Sequence, residues 1–267
     1  MTEPISRRTF LATAAAATAT LSRVRAASRW PIGVESYCFH DVGLEATIAR
    51  TRELRLQAIE LHDGHLPRES SPATLAAARQ AFASAGIAPK GVYIHDAFTE
   101  SEAVARPIFE FAKTVGFGYI NGGPRRESLP LLDRLSPEYG VRIALHNHGP
   151  KARYETIDDV RSALEGRPNL AACIDIGHFA RSKVDPVAAI RALGGRALAV
   201  HVKDVTADGG NITVGKGVID MPGVFAALRE SRFDGLLVLE YEGDFDDMTR
   251  RMQGMQDSLR AIERLLA

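Results

Sequence analysis

Val141-Arg142-Ile143-Ala144-Leu145-His146-Asn147-His148 alternates in character from one residue to the next. In a strand, neighbouring side chains point to opposite faces. Ile143 and Leu145 therefore share one face, and Ala144, His146 and His148 share the other. Four further stretches read the same way. In 171–178, Ile174 and Ile176 oppose Cys173 and Asp175; in 197–204, Val200 and Val202 oppose His201 and Lys203. In 236–242, Leu237 and Leu239 oppose Glu240 and Glu242, and in 58–62, Ile59 and Leu61 oppose Glu60 and His62. A strand with one apolar face and one bearing small, then polar residues suits a barrel wall, packed outside by helices and facing inward on the other side.

Working outward, short β-branched runs at 32–39, 58–62, 91–95, 119–121, 141–148, 171–176, 197–203 and 236–241 are predicted strands. Between them, helical periodicity predicts helices over 44–54, 72–85, 102–115, 128–135, 157–164, 186–193, 222–230 and 245–266. Ser71-Pro72 supplies a capping serine and a proline at the first helical position. Gly86, Gly116 and Gly166 fall where helices should stop. Strict β/α alternation implies a parallel sheet, and eight units match a single α/β domain, a closed (β/α)8 TIM barrel. A doubly wound open sheet is disfavoured because the first strand–helix turn lacks a glycine-rich phosphate fingerprint.

The first 27 residues stand apart. Ser6-Arg7-Arg8-Thr9-Phe10-Leu11 opens a weakly apolar Ala/Thr-rich stretch that ends in small residues around Ala26-Ala27. This resembles a twin-arginine signal peptide, read by export machinery and then removed. The stretch is too short to span a bilayer, which takes about 20 residues, so no stable membrane anchor is expected. The domain is then 28–267, and the location periplasmic or exported.

The whole chain has 267 residues, 45% hydrophobic and 25% charged, which excludes a disordered, coiled-coil or collagen-like chain. Removing Arg7, Arg8, Arg23, Arg25 and Glu3 from 33 basic and 33 acidic residues leaves a net charge of −3. A slightly acidic domain does not seek nucleic acid, which needs a basic surplus. A small molecule is the expected partner. Cys38 and Cys173 are too few for a disulfide scaffold and are read as small core residues.

All eight histidines, at 40, 62, 65, 95, 146, 148, 178 and 201, fall at or just beyond the C-terminal end of a predicted strand, and none in a predicted helix. That rim is where (β/α)8 enzymes build active sites. Carboxylates turned into a barrel need a cation or donors to compensate them. Asp175, His201 and Glu240 come from three successive strands, and His146 or His148 from the strand before would complete four ligands. Mixed N/O donors suit Zn, Mn, Fe or Co better than Ca. Lys203, inward beside His201, could neutralise a developing oxyanion or pair with Glu242. Gly215-Lys216-Gly217 is read as a plain turn rather than an anion cradle.

These motifs, in order, resemble the sugar phosphate isomerase/epimerase family of xylose isomerase-like barrels: Ala58-Ile59-Glu60-Leu61-His62, Leu145-His146-Asn147-His148-Gly149, Ile174-Asp175-Ile176-Gly177-His178, His201-Val202-Lys203-Asp204, Gly215-Lys216-Gly217 and Leu239-Glu240-Tyr241. The resemblance implies one divalent metal ion (Mn, Zn, Co, Fe or Mg) on Asp175, His201 and Glu240, with His146 on the fifth strand as fourth ligand. It implies that His178 contacts substrate, and that Glu240 also carries a proton next to the substrate carbonyl. Glu60, His62 and His148 are the further expected substrate contacts. The family's second proton-carrying glutamate is replaced here by His146, which makes His146 and Lys203 the expected catalytic companions of Glu240. The expectation is an isomerase or epimerase of a small carbohydrate working through an enediolate. The alternatives are a lyase or dehydratase on a keto-sugar or keto-glycoside, and a non-catalytic binding protein for sugar or metal.

Overall fold

The computed structural model describes residues 30–95, 98 and 101–267. The twin-arginine motif lies outside the described residues. Eight parallel strands form a closed barrel: β1 (Ile32–Glu35), β2 (Ala58–His62), β3 (Ala88–Tyr93), β4 (Tyr119–Gly122), β5 (Arg142–His146), β6 (Leu170–Asp175), β7 (Ala197–Val202) and β8 (Leu236–Leu239). Each pairs with the next in the chain, and β8 closes on β1 through Ile32–Leu237 and Val34–Leu239.

Among the described residues the α-helices are α1 (Leu44–Glu53), α2 (Pro72–Ala85), α3 (Glu102–Val115), α4 (Leu129–Tyr139), α5 (Ile157–Leu164), α6 (Ile176–Arg181), α7 (Pro186–Leu193), α8 (Met221–Glu230) and α9 (Met248–Leu266). Their ends follow local chemistry. Ser71 caps α2 by accepting from Thr74 N, and Gly86 and Gly116 take the left-handed conformation that ends α2 and α3. Thr156 and Asp159 form a reciprocal capping box at the start of α5. Among the described residues, no helix is long and apolar enough to cross a membrane.

Alternation along the strands sorts two apolar layers. Ile59, Leu61, Ile143, Leu145, Ile174, Val200, Val202, Leu237 and Leu239 pack against the helices. Ala58, Tyr119, Ala144, Cys173, Ala199, Leu236 and Val238 form a separate cluster inside the barrel. That inner layer is made mostly of small residues, so Tyr119 can lie across it. Gly91 is required there, because a Cβ would stand 2.2 Å from the Tyr119 ring. Both cysteines are buried and free, as their reading as core residues expects.

The structure departs from the sequence reading at the strand ends. Residues Ser36–Phe39 form a turn of 3-10 helix rather than more of β1. Ile176, read as strand, opens α6, which the periodicity missed. Asp175 accepts a hydrogen bond from His178 N at 2.8 Å and turns the chain straight from strand into helix. His178 therefore lies in a helix, against the expectation that no histidine does. α4 runs on to Tyr139, and α9 starts at Met248, where Asp247 caps it, rather than at residue 245.

Candidate active site at the C-terminal mouth

The strand ends bring a polar set together. His146 ends β5, Asp175 ends β6, His201 lies one residue before the end of β7, and Glu240 directly follows β8. One ligand atom from each of these four buried residues lies within 4.8 Å of the other three. His201 Nδ1 is 2.7 Å from Glu240 Oε2 and 3.7 Å from Asp175 Oδ2. His146 Nε2 is 3.4 Å from His201 Nδ1 and 3.6 Å from Asp175 Oδ2. Asp175 Oδ2 is fully buried and also faces Lys203 Nζ at 2.9 Å.

Two imidazole nitrogens and two carboxylate oxygens within 4.8 Å of one another form a mixed N/O donor set that fits a divalent ion. His146 rather than His148 is the strand-five residue in this group. Cys173 also approaches His146 and His201. Burial pushes its thiol up to about 12, which disfavours the thiolate that metal binding needs.

The ring of His201 is fixed from behind. Its Nε2 lies 2.6 Å from Glu60 Oε1, and Glu60 in turn accepts from Tyr119 Oη at 2.6 Å and Asn121 Nδ2 at 2.5 Å. A carboxylate on the far nitrogen of an imidazole sets its tautomer and leaves the near nitrogen for an ion. Glu60 was expected to touch substrate. It is instead fully buried beneath His201, with both oxygens engaged, and does not line the cleft.

Lys203 is also buried. Its Nζ lies 2.9 Å from Asp175 Oδ2, 3.0 Å from Glu240 Oε2 and 3.6 Å from Glu242 Oε2. It thus serves Asp175 and Glu240 more closely than Glu242. Burial opposes ionisation of Asp175 and Glu240, yet the Lys203 ammonium holds both well below the usual carboxylate range. The same carboxylates, against the cost of burial, hold Lys203 above its ordinary value. Burial alone would lower His201, but its acidic neighbours more than reverse this.

Above this group opens a cleft of about 260 Å³, to which His146, His201 and Glu240 contribute. His178 and His148 form one wall, their rings stacked at 3.8 Å. Burial lowers both; His148 falls to about 4. Arg181 NH1 lies 3.3 Å from His178 Nδ1, which leaves His178 Nε2 to carry a proton toward the site. His62 stands on the opposite wall, between Tyr37 at 5.2 Å and Tyr93 at 5.6 Å. Tyr37, Tyr93, His95 and Glu35 complete that side.

Sequence reasoning assigned no role to Glu35, Tyr37, Tyr93 or His95. Inward alternation along β1 and β3 carries the signal for Glu35 and Tyr93. Burial and the neighbouring Glu60 and Glu240 charges push the Glu35 carboxyl well up. The Gly215-Lys216-Gly217 turn does hold an anion, but an internal one: Gly215 N and Gly217 N each donate to Asp204 Oδ2 at 2.9 Å.

A (β/α)8 barrel with converging imidazoles and carboxylates at its C-terminal mouth defines the class. A family model described as xylose isomerase-like TIM barrel matches residues 126–265, and the chain belongs to that family. It is 27% identical over 138 residues to an inosose dehydratase of Clostridium beijerinckii, an alignment taking in 44% of this chain. The alignment takes in 46% of the relative, so the chain spans about half the length of that curated protein. Two solved structures share the fold. A D-psicose 3-epimerase determined with D-fructose superposes with TM-score 0.73 at 15% identity, covering 88% of this chain and 99% of that one. The IolI protein with a bound zinc atom superposes with TM-score 0.70 at 17% identity, covering 88% and 98%.

Proposed function

We propose that the protein is a divalent-metal-dependent isomerase or epimerase of a small carbohydrate, acting next to a carbonyl. The observation that carries this reading is the convergence of His146, Asp175, His201 and Glu240, one ligand atom from each lying within 4.8 Å of the other three. A bound divalent ion would polarise the substrate carbonyl as a Lewis acid. The zinc in the IolI structure and the D-fructose with the psicose epimerase support the type of site.

The chain's own residues divide the work. Glu240 stays ionised beside Lys203, so it can accept the proton from the carbon next to the carbonyl. Lys203, expected to face a developing oxyanion, does not line the cleft; it lies buried against Asp175 and Glu240 and keeps both carboxylates ionised. His178 lines the cleft, with its Nε2 3.8 Å from Asp175 Oδ2, and would contact a substrate hydroxyl there. His146 stands where relatives of this type would carry a second glutamate, and Glu60 keeps His201 oriented.

The alternative is a dehydratase on a keto-sugar, in which proton abstraction is followed by loss of a hydroxyl. The inosose dehydratase relative supports it. Incubation of metal-reconstituted protein with D-fructose and an inosose in D₂O decides between them. Isomerisation keeps the mass apart from deuterium uptake, whereas dehydration loses one water. A non-catalytic binding protein would bind both and change neither, and that outcome would reject the enzyme reading. From the Arg7-Arg8 motif we further propose that the protein is exported from the cytoplasm. Replacing both arginines with lysine should then keep the precursor inside, as fractionation would show.

A further inference from the structure

The cleft does not end at the metal-type cluster. A second lobe of about 370 Å³ continues from it, sharing Tyr93, His95, His146 and His148 and bounded by Gly123 and residues 150–154. The two lobes differ in charge. The first contains Glu35, Glu240 and Glu242, whereas the charged side chains among the described lining residues of the second are Lys151 and Arg153.

The loop that carries these two is pinned rather than loose. His148 N donates to Tyr154 O at 3.2 Å, and Ala152 N to Gly149 O at 3.2 Å. The buried Tyr154 donates its hydroxyl to Pro124 O at 2.7 Å, and Arg153 NH1 donates to Gly123 O. Lys151 sits in the left-handed region at φ 70°, with its own N–H capped by Glu155 at 2.9 Å. Loop and backbone thus hold two cations at the rim without using up the ammonium of Lys151. Pre-positioned cations, with no carboxylate among the other described residues that line the lobe, favour an anionic group.

We infer that the second lobe is a subsite for an anionic substituent, a carboxylate or a phosphate ester, on the sugar whose carbonyl end occupies the first lobe. This rests on the carbohydrate reading of the first lobe. A substrate of this class would be a keto-sugar acid or a ketose phosphate rather than a neutral ketose. Partly exposed charge pairs contribute modestly, so the preference should be about tenfold and should shrink as salt rises.

Calorimetric binding to the metal-reconstituted protein tests it, with D-fructose, D-fructose 6-phosphate and D-fructuronate as probes. The expected result is tighter binding of one or both anionic probes than of D-fructose; which of the two leads identifies phosphate or carboxylate. Lys151→Met should remove most of that preference and leave D-fructose affinity and metal content unchanged. Because Arg153 also braces the loop, Arg153→Lys serves as its companion and should weaken the preference less. Equal affinity for all three probes, or a preference intact in both variants, overturns the subsite while the carbohydrate reading stands. Failure of the wild-type protein to bind any of the three overturns the carbohydrate reading, and the subsite with it.

Discussion

The two halves of the barrel mouth are built differently. Strands β5 to β8 carry His146, Asp175, His201 and Glu240 at or beside their ends, a compact group whose ligand atoms lie within 4.8 Å of each other. Strands β1 to β3 end in or near Tyr37, His62 and Tyr93, rings spaced 5.2 and 5.6 Å apart along a wall. One half concentrates charge, where an ion and a reacting carbonyl would be held. The other offers flat surfaces of low charge, suited to the C–H faces of a sugar. Glu60 belongs to the second half by sequence, on β2, but serves the first by reaching beneath the barrel mouth to His201 at 2.6 Å. If this division is right, substitutions in the first half remove metal or chemistry, and those in the second change affinity alone.

The largest effect should come from Asp175→Ala. It removes the oxygen at the centre of the cluster and one of the two close partners of Lys203. Metal content by elemental analysis should fall to background and turnover should vanish. Glu240→Gln should abolish substrate-proton exchange from D₂O as completely. An active Glu240→Gln protein on an identified substrate would break the proposed division of labour even if the fold and metal site stand.

Next in size is Glu60→Gln, which separates positioning from substrate contact. Outer carboxylates on ligating histidines typically contribute about 10–100-fold in metal affinity or activity. Metal affinity should drop by about that factor, with KM little changed once metal is saturating. A raised KM with unaltered metal affinity would instead return Glu60 to the substrate.

Lys203→Met tests the charge balance of the first half. It leaves Asp175 and Glu240 buried without their shared ammonium, and breaking a buried ion pair on one side costs about 3–5 kcal/mol. The metal-free variant should therefore melt well below the metal-free parent. A bound divalent ion would compensate the carboxylates, so most of that difference should disappear on reconstitution. Turnover should fall without vanishing. Equal melting of the two metal-free proteins would show that the ammonium contributes little.

Much of this was legible in sequence because a barrel strand enforces a two-residue rhythm. Ile143 and Leu145 against Ala144 and His146, or Val200 and Val202 against His201, sort outside from inside without knowledge of the fold. The four-residue cluster followed from the same rhythm together with family resemblance. What stayed hidden depends on contacts between distant strands. Nothing in Ala-Ile-Glu-Leu-His says that Glu60 will meet His201, since that contact spans 141 residues and exists only once the barrel closes. The α6 turn was hidden because it is only six residues long and its first four are all buried, too short a segment to show a helical period. The Asp204 nest was hidden because its donors come 11 and 13 residues later.

The smallest expected effect belongs to His62→Ala, on the wall facing the cluster. His62 is half-buried, its Nδ1 accepts from Gly64 N at 3.1 Å, and its ring lies between Tyr37 and Tyr93. Burial lowers its pKa, so it is a neutral ring at neutral pH, and its nearest acid, Asp63, sits 3.7 Å away on the loop. It reaches neither the ligand atoms nor Lys203. Truncation would therefore take away packing surface for a sugar and one turn-capping acceptor, nothing that touches the reacting carbon. Metal content should be unchanged, and KM should rise by about three- to tenfold with kcat nearly constant, the pattern of an interaction made equally before and during the chemical step. A fall in kcat with KM unchanged would place His62 in the chemistry and erase the contrast between the two halves.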